Sequence, residues 1–423
     1  MNHITSKGGQ MKENICKYSK KCDACKYIEK KYKDSLFIKQ KRCEELLSDF
    51  CKVERIAGMK EPYHYRNKVH HAFSRDKKGN IISGQYKESS HTIVDIDRCL
   101  IEDEYADEII SYIKSVIKSF KIKTYDEKTG YGLLRHVLIR TAHSTGQVMV
   151  VLVAASPVFP SKNNFVKALV SKFDRIKTVV LNVNDRYTSM VLGDRNINLY
   201  GKGYIEDVLC GKRFRISPSS FYQINSVQTE KLYNLAIEQA GINKSDVVID
   251  AYSGIGTIGI IASENAGTVH CVELNKAAVR DAIINAKLNH AENIEFVCKD
   301  AGDYMVSLAQ KHFKADVLIM DPPRSGSTKK FIDQISILGP ERVVYISCNP
   351  ETLKRDLKYF ITKKYQVIKA MPVDMFPFTE DVETCCLLSR KDVNKRSYVS
   401  LDVEMEDYYR IKNETEVTTD ATE

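Results

Sequence analysis

Cys348 stands in Ser347-Cys348-Asn349-Pro350, directly after the apolar run RVVYI and directly before the helical pattern ETLKRDLKYF. A cysteine at a helix start meets free backbone N–H groups and the positive end of the helix dipole, and both favour a thiolate. That position suits a nucleophile better than a core filler. A second apolar run, ADVLIM, delivers Asp321-Pro322-Pro323-Arg324. The two prolines stiffen a wall that turns a carboxylate and a carbonyl toward a planar base or a methyl donor. Near the C-terminus, FTEDVETC offers Glu380, Asp381 and Glu383 as general bases, and composition does not choose among them.

The run DVVID ends at Asp250 and enters a turn in which Gly254, Gly256 and Gly259 spell G-x-G-x-x-G. Such glycines let a ligand approach the backbone at the C-terminal end of a strand. Glu273 closes the next apolar run at the spacing of an acid on a ribose hydroxyl. Asp300, closing the run after that, could accept a hydrogen bond from an adenine amino group or could be a plain turn residue. The glycines and Glu273 suit NAD and S-adenosylmethionine equally, so an NAD-dependent oxidoreductase and a methyltransferase are both open here. A methyltransferase would have a use for Cys348. Carbon 5 of uracil is too weak a nucleophile to take a methyl group from a sulfonium, and thiolate addition to carbon 6 turns it into an enolate carbon.

Cys16, Cys22 and Cys25 form a C-x5-C-x2-C array, which suits an iron–sulfur cluster or zinc better than free surface thiols. Cys43, Cys51, Cys210, Cys271, Cys298, Cys385 and Cys386 lie in apolar or helical contexts and read as small packing residues. The first ten residues lack the apolar core of an export signal, so a cytoplasmic protein with reduced thiols is expected. Met1 and Met11 are alternative starts.

The elements that position these residues fall into four stretches of the 423-residue chain. Residues 1–62 hold the cysteine array and a Lys-rich helix near 33–50. Residues 63–210 alternate with period two around a helix near 102–120, which predicts a central α+β domain on an antiparallel sheet. From 211 to 392 short unbroken apolar runs alternate with helical patterns, which predicts a parallel α/β sheet covered on both faces. Residues 393–423 are polar and are expected to be disordered. The net charge of +9 suits a partner made of phosphates, and no tract is apolar enough to cross a membrane. Arg66, Lys68, Arg135 and Arg140 are candidate phosphate contacts, and a monomer is expected.

Six stretches, PSSFYQIN, DAYSGIGTIGI, VELN, DPPRSG, SCNP and MFPFTEDVET, resemble the RNA uracil-C5 methyltransferases of bacteria. The resemblance runs from about Cys16 to Arg390. It implies a Rossmann-like methyltransferase domain, an RNA-binding central domain and an N-terminal iron–sulfur segment. It implies that Gln223, Tyr252, Glu273, Asp300 and Asp321 contact S-adenosylmethionine, that Cys348 is the nucleophile, and that Glu383 is the base. It further implies a [4Fe-4S] cluster on Cys16, Cys22, Cys25 and Cys99. Phe378 stands where family members usually carry His, and Thr257 where Asn is common. Members with the cysteines and without an N-terminal β-barrel typically act on ribosomal RNA. The implied substrate is therefore 23S ribosomal RNA, with transfer RNA as the alternative.

Overall fold

The computed structural model of the protein describes residues 16–391 apart from 89 and 189. The expectations for the polar tail and for the start codon fall outside the described residues. After the cysteine array comes α1 (Tyr32–Leu47), which sets Cys43 and Leu47 inward. No helix among the described residues is long and apolar enough to cross a membrane.

The first sheet contains β1 (Lys68–Arg75), β2 (Ile81–Tyr86), β3 (Ile93–Asp95), β4 (Leu134–Thr141), β5 (Val148–Ala154), β6 (Ile176–Val183) and β7 (Arg195–Gly201), in the order β3-β2-β1-β4-β5-β6-β7. Helix α2 (Glu104–Val116) follows β3, and α3 (Lys162–Lys172) follows β5. Asp103 caps α2 by accepting from the Ala106 N–H, and Ala106, Ile109, Ile110 and Ile113 recur on its buried face. The sheet is not wholly antiparallel as the period-two pattern predicts. β5 and β6 run parallel, because α3 supplies a crossover instead of a hairpin. VMVVLVA in β5 is buried on both faces. Met149, Val151 and Val153 face one core, and Val148, Val150, Leu152 and Ala154 face the core under α2 and α3.

A hairpin, β8 (Ile205–Leu209) and β9 (Lys212–Ile216), and α4 (Ser226–Ala240) lead into the second sheet. Its elements are β10 (Val247–Ala251), α5 (Thr257–Ser263), β11 (Thr268–Glu273), α6 (Lys276–Leu288), β12 (Ile294–Cys298), α7 (Ala301–Gln310) and β13 (Val317–Met320), followed by α8 (Lys329–Leu338), β14 (Arg342–Ser347), α9 (Pro350–Thr362), β15 (Tyr365–Val373) and β16 (Glu383–Arg390). The order β12-β11-β10-β13-β14-β16-β15 is that of a doubly wound, Rossmann-like sheet. β16 enters antiparallel between β14 and β15. Reversal of strand order at β10 opens a crevice at the C-terminal ends of the parallel strands.

Candidate active site

Strand register brings the chemistry-bearing residues to one edge. Ala251 pairs with Val272 and with Met320, so Tyr252, Glu273 and Asp321 leave three neighbouring strand ends at the same level. Ser347 pairs with Thr384 in the antiparallel β14–β16 ladder. Cys348 and Glu383 lie one residue beyond that pair, line the same cavity, and are close enough for the Glu383 charge to act on the thiol. Gln223 arrives from the segment before α4, held by Asn67 at the head of β1. The Asn67 Nδ2 donates to the Gln223 carbonyl at 3.0 Å, and the Asn67 N–H donates to the Ile224 carbonyl at 2.8 Å.

These residues line a cavity of about 480 Å³ together with Tyr233, Gly254, Thr257, Pro322, Pro323, Arg324, Phe376 and Asp381. The glycine turn is built for close approach. Gly254 has φ +56 with nothing within 4 Å of an added Cβ, whereas a Cβ on Gly256 (φ +82) would meet the Phe296 ring at 2.9 Å. The Glu273 carboxylate braces the turn, accepting from the Gly254 N–H at 3.0 Å and the Asn275 N–H at 2.7 Å. Asp300 is not in the lining. It lies beyond Cys298, the register partner of Glu273, and caps α7 by accepting from the Asp303 N–H. Its charge still reaches the cavity wall, where, after burial, it is one of the causes that raise the Tyr252 hydroxyl.

The cavity holds four carboxylates, Glu273, Asp321, Asp381 and Glu383, against one cationic side chain, Arg324. Burial and the neighbouring Glu383 and Asp321 push the Cys348 thiol up to about 12, and Arg324 opposes them. The thiolate expected from the helix start is therefore not favoured in the free protein. The α9 N-terminus is instead capped by the Asn349 side chain, which takes the Glu351 and Thr352 N–H groups. Burial raises Asp321 to about 7. Burial, then Asp321 and Asp381, hold Glu383 well above the carboxylate range, and its Oε2 is buried without a hydrogen-bond partner. A chemistry that needs both Cys348 and Glu383 ionised gains active form as protons leave. Its kcat/KM should therefore still be rising at alkaline pH, toward the Cys348 value of about 12, and a profile that falls on the alkaline side of neutrality would contradict this assignment.

A clamp that the sequence does not advertise holds the loop between β15 and β16. Lys39, 1% exposed in a helix that reads as a basic surface, places its Nζ 2.5 Å from Asp374 Oδ1 and 2.9 Å from the Phe376 carbonyl. Tyr32 donates to the other Asp374 oxygen at 2.7 Å, and Tyr65 to the Pro377 carbonyl at 3.1 Å. Phe378 adopts φ +66, stacks on Tyr63 with ring centroids 5.1 Å apart, and accepts the Tyr27 N–H. Its ring packs in an apolar cluster with Ile28, Tyr65 and Ile101, so a polar side chain there would lack a wet surface. Lys39→Met should cost about 3–5 kcal/mol, because it leaves the Asp374 charge buried and half paired. Melting temperature checks this, and Asp374→Asn in the same chain should recover part of the loss.

The four candidate cluster cysteines converge. Cys16, Cys22 and Cys99 pack around Tyr18, Val94 and Ile96, while Cys16, Cys25 and Cys99 pack around Ile28, Tyr65, Ile101 and Phe378. Burial, then Cys22 and Cys16, pushes the Cys25 thiol up to about 12. Among the described residues, three-ligand groups whose atoms all lie within 4.8 Å of one another reduce to His71, Glu102 and Asp107. No three of the four sulfurs all lie within 4.8 Å of one another, whereas thiolates on one tetrahedral zinc ion sit about 3.8 Å apart. An all-thiolate set on a wider frame fits a polynuclear cluster. Cys298, expected to be a packing residue, is exposed at the end of β12. Cys43, Cys271, Cys385 and Cys386 are buried, and Cys51 and Cys210 are half-buried.

Two of the candidate phosphate contacts are internal tethers. Arg140 is 3% exposed and donates to the Ser220 and Pro218 carbonyls. Arg135 is 5% exposed, donates to the carbonyls of Asn184 and Arg186, and lies over the Tyr125 ring. Their strand faces are covered, which period-two patterning cannot reveal. Lys68 is half-buried, and its ammonium is lowered to about 8 by desolvation and by Arg140. The Arg66 Nε donates to the Lys68 carbonyl.

Residues 31–391 match the family described as tRNA (uracil-5-)-methyltransferase. The chain is 41% identical over 383 residues to a protein of Caldanaerobacter subterraneus subsp. tengcongensis named as an RNA methyltransferase, covering 89% of this chain and 84% of that one. A protein of Clostridium acetobutylicum, also named as an RNA methyltransferase, is 39% identical over 396 residues, 92% of this chain and 86% of that one. Among solved structures, the tRNA (uracil-54, C5)-methyltransferase of Pyrococcus abyssi in complex with S-adenosyl-L-homocysteine superposes with a TM-score of 0.70. It is 28% identical, and the match covers 85% of this chain and 83% of that one.

Proposed function

This chain belongs to the tRNA (uracil-5-)-methyltransferase family, a family of S-adenosylmethionine-dependent RNA methyltransferases, and we propose that it methylates carbon 5 of a specific uridine in 23S ribosomal RNA through a covalent bond from Cys348 to carbon 6 of the base. The observation that carries the reading is the meeting of a thiol, Cys348, and a buried carboxylate, Glu383, in one cavity beside the Gly254 turn. The alternative of an NAD-dependent oxidoreductase falls with the family assignment.

Gln223, Tyr252, Glu273 and Asp321 would hold the donor, which supplies the methyl group as a sulfonium. A cation entering a cavity walled by carboxylates favours the ionised forms of Asp321 and Glu383 over the protonated forms of the free protein. Cys348 gives its proton to solvent and adds to carbon 6, which places negative charge on carbon 5 and the neighbouring carbonyl oxygen; the same sulfur takes a proton back from solvent when it leaves. Carbon 5 would then take the methyl group as the methyl–sulfur bond of the sulfonium breaks and leaves a neutral thioether. Glu383 removes the carbon-5 proton, the double bond re-forms, and the Cys348 sulfur leaves. In net terms one proton on carbon 5 is exchanged for one methyl group.

We assign Cys16, Cys22, Cys25 and Cys99 to a [4Fe-4S] cluster that fixes the N-terminal segment. Their convergence and wide spacing support this reading. Anaerobic purification should give about four iron and four sulfide per chain, and Cys99→Ser should lose them. A single zinc ion instead would overturn it.

The four cysteines favour ribosomal RNA as the substrate. The likeness to the Pyrococcus abyssi enzyme, which its name places on tRNA, favours T-loop tRNA as the second reading. Total RNA from cells lacking the protein, methylated with labelled donor and then fractionated and mapped, separates them. Label in 23S ribosomal RNA is expected, and label confined to tRNA would overturn that substrate.

A further inference from the structure

Beside the catalytic cavity lies a second hollow of about 520 Å³, and the two share Arg324 and Asp381 in their walls. The shared residues form an ion pair between the two hollows, with Arg324 Nη2 at 2.5 Å from Asp381 Oδ1 and both side chains solvent-accessible. The far side is built from the cysteine segment and the first sheet. Tyr27 is fixed through its N–H on the Phe378 carbonyl. Tyr86, at the end of β2, donates to Glu127 at 3.0 Å and stands edge-on to His136, so its ring is pre-oriented.

The charges indicate what the hollow takes. Its other two cations are already matched, Lys26 by Glu380 at 2.9 Å and Arg42 by both oxygens of Glu351 at 2.8 and 2.9 Å. Asp23 and Glu88 face the hollow as well, so carboxylates outnumber cations there. With Lys26, Arg42 and Arg324 all paired, no cation among the described residues is free to hold a phosphate inside the hollow. A nucleobase fits it: two aromatic rings for the base faces, and carboxylates to accept from an exocyclic amino group.

Resting on the uridine-methylation reading, we propose that this hollow binds an unstacked base next to the target uridine, one with an exocyclic amino group (adenine, cytosine or guanine), packed on Tyr27 and Tyr86. The phosphate joining the two nucleotides passes Arg324, the one cation that both walls share. Asp381 releases it as the RNA enters, so the ion pair opens only for a two-nucleotide step. This makes Tyr27 and Tyr86 specificity residues at a distance from the reacting atoms.

The test uses the full-length protein and RNA from cells that lack it, in normal and 5-fluorouracil-substituted form. Tyr27→Ala and Tyr86→Ala should each raise KM for the normal RNA about tenfold while kcat stays within about twofold, and Tyr27→Phe should restore it. Ultraviolet cross-linking of the wild-type complex trapped on the substituted RNA should map to peptides containing Tyr27 or Tyr86. A trapped complex with cross-links elsewhere and unchanged KM in both alanine variants overturns the subsite alone. Failure of the wild-type protein to trap the RNA at all overturns the uridine reading and the subsite with it.

Discussion

Cys348→Ala is expected to lower methyl transfer by at least about 10⁴-fold, because removing a nucleophile leaves only binding and orientation to act on the substrate. Uracil gives the effect its size. Without the carbon-6 bond, carbon 5 has no enolate character, and no residual group in the cavity supplies it. Cys348 is half-buried at a strand end, so its loss should leave melting temperature nearly unchanged. Cys385 and Cys386, fully buried in β16, provide the contrast. Alanine there should cost about 1–2 kcal/mol of stability and leave turnover per folded molecule intact. A Cys348→Ala protein that still methylates at more than a few per cent of the native rate would remove the covalent step.

Glu383→Gln should lower turnover by about 10²–10⁴-fold, the usual range for a lost general base, and it should do so at a different step. The thiol can still add and the methyl group can still arrive. Elimination then stalls, so a protein–RNA adduct carrying the new methyl group should accumulate on ordinary RNA and survive denaturing gels. Asp381→Asn should have a smaller effect and no adduct. Asp381 is partly exposed and engaged with Arg324, and the Glu380 carboxylate is tied to Lys26. If the glutamine variant turned over slowly with no adduct, Glu383 would have to act before carbon–carbon bond formation.

Three acids within four residues of FTEDVET, Glu380, Asp381 and Glu383, are indistinguishable in composition. Only the antiparallel register, with Ser347 against Thr384, puts Glu383 rather than its neighbours one residue beyond that pair with Cys348. The parallel runs were legible because each is a short, unbroken apolar stretch ending in a polar residue, and the glycine spacing marked the ligand edge. Lys39 was not legible. Its neighbours make a Lys-rich helix, and the carboxylate that draws it inward lies 335 residues away. Arg135 and Arg140 misled for the opposite reason. Both sit in strands whose two faces are covered, so alternation with apolar neighbours does not mean exposure. The thiolate reading of Cys348 followed from the helix start alone and missed two carboxylates brought in by other strands. Asn67, between Arg66 and Lys68, carries no sequence signal for its part in holding Gln223 in place, because that partner lies 156 residues away along the chain.

The covalent step is tested most directly with RNA carrying 5-fluorouridine at the target position. Fluorine at carbon 5 cannot leave as a proton does, so the reaction should stop after methyl transfer. A complex stable to denaturation should form only with the methyl donor present, contain one protein per RNA, and yield on digestion a peptide modified at Cys348. An enzyme preparation that methylates ordinary RNA yet gives no such complex would contradict the account.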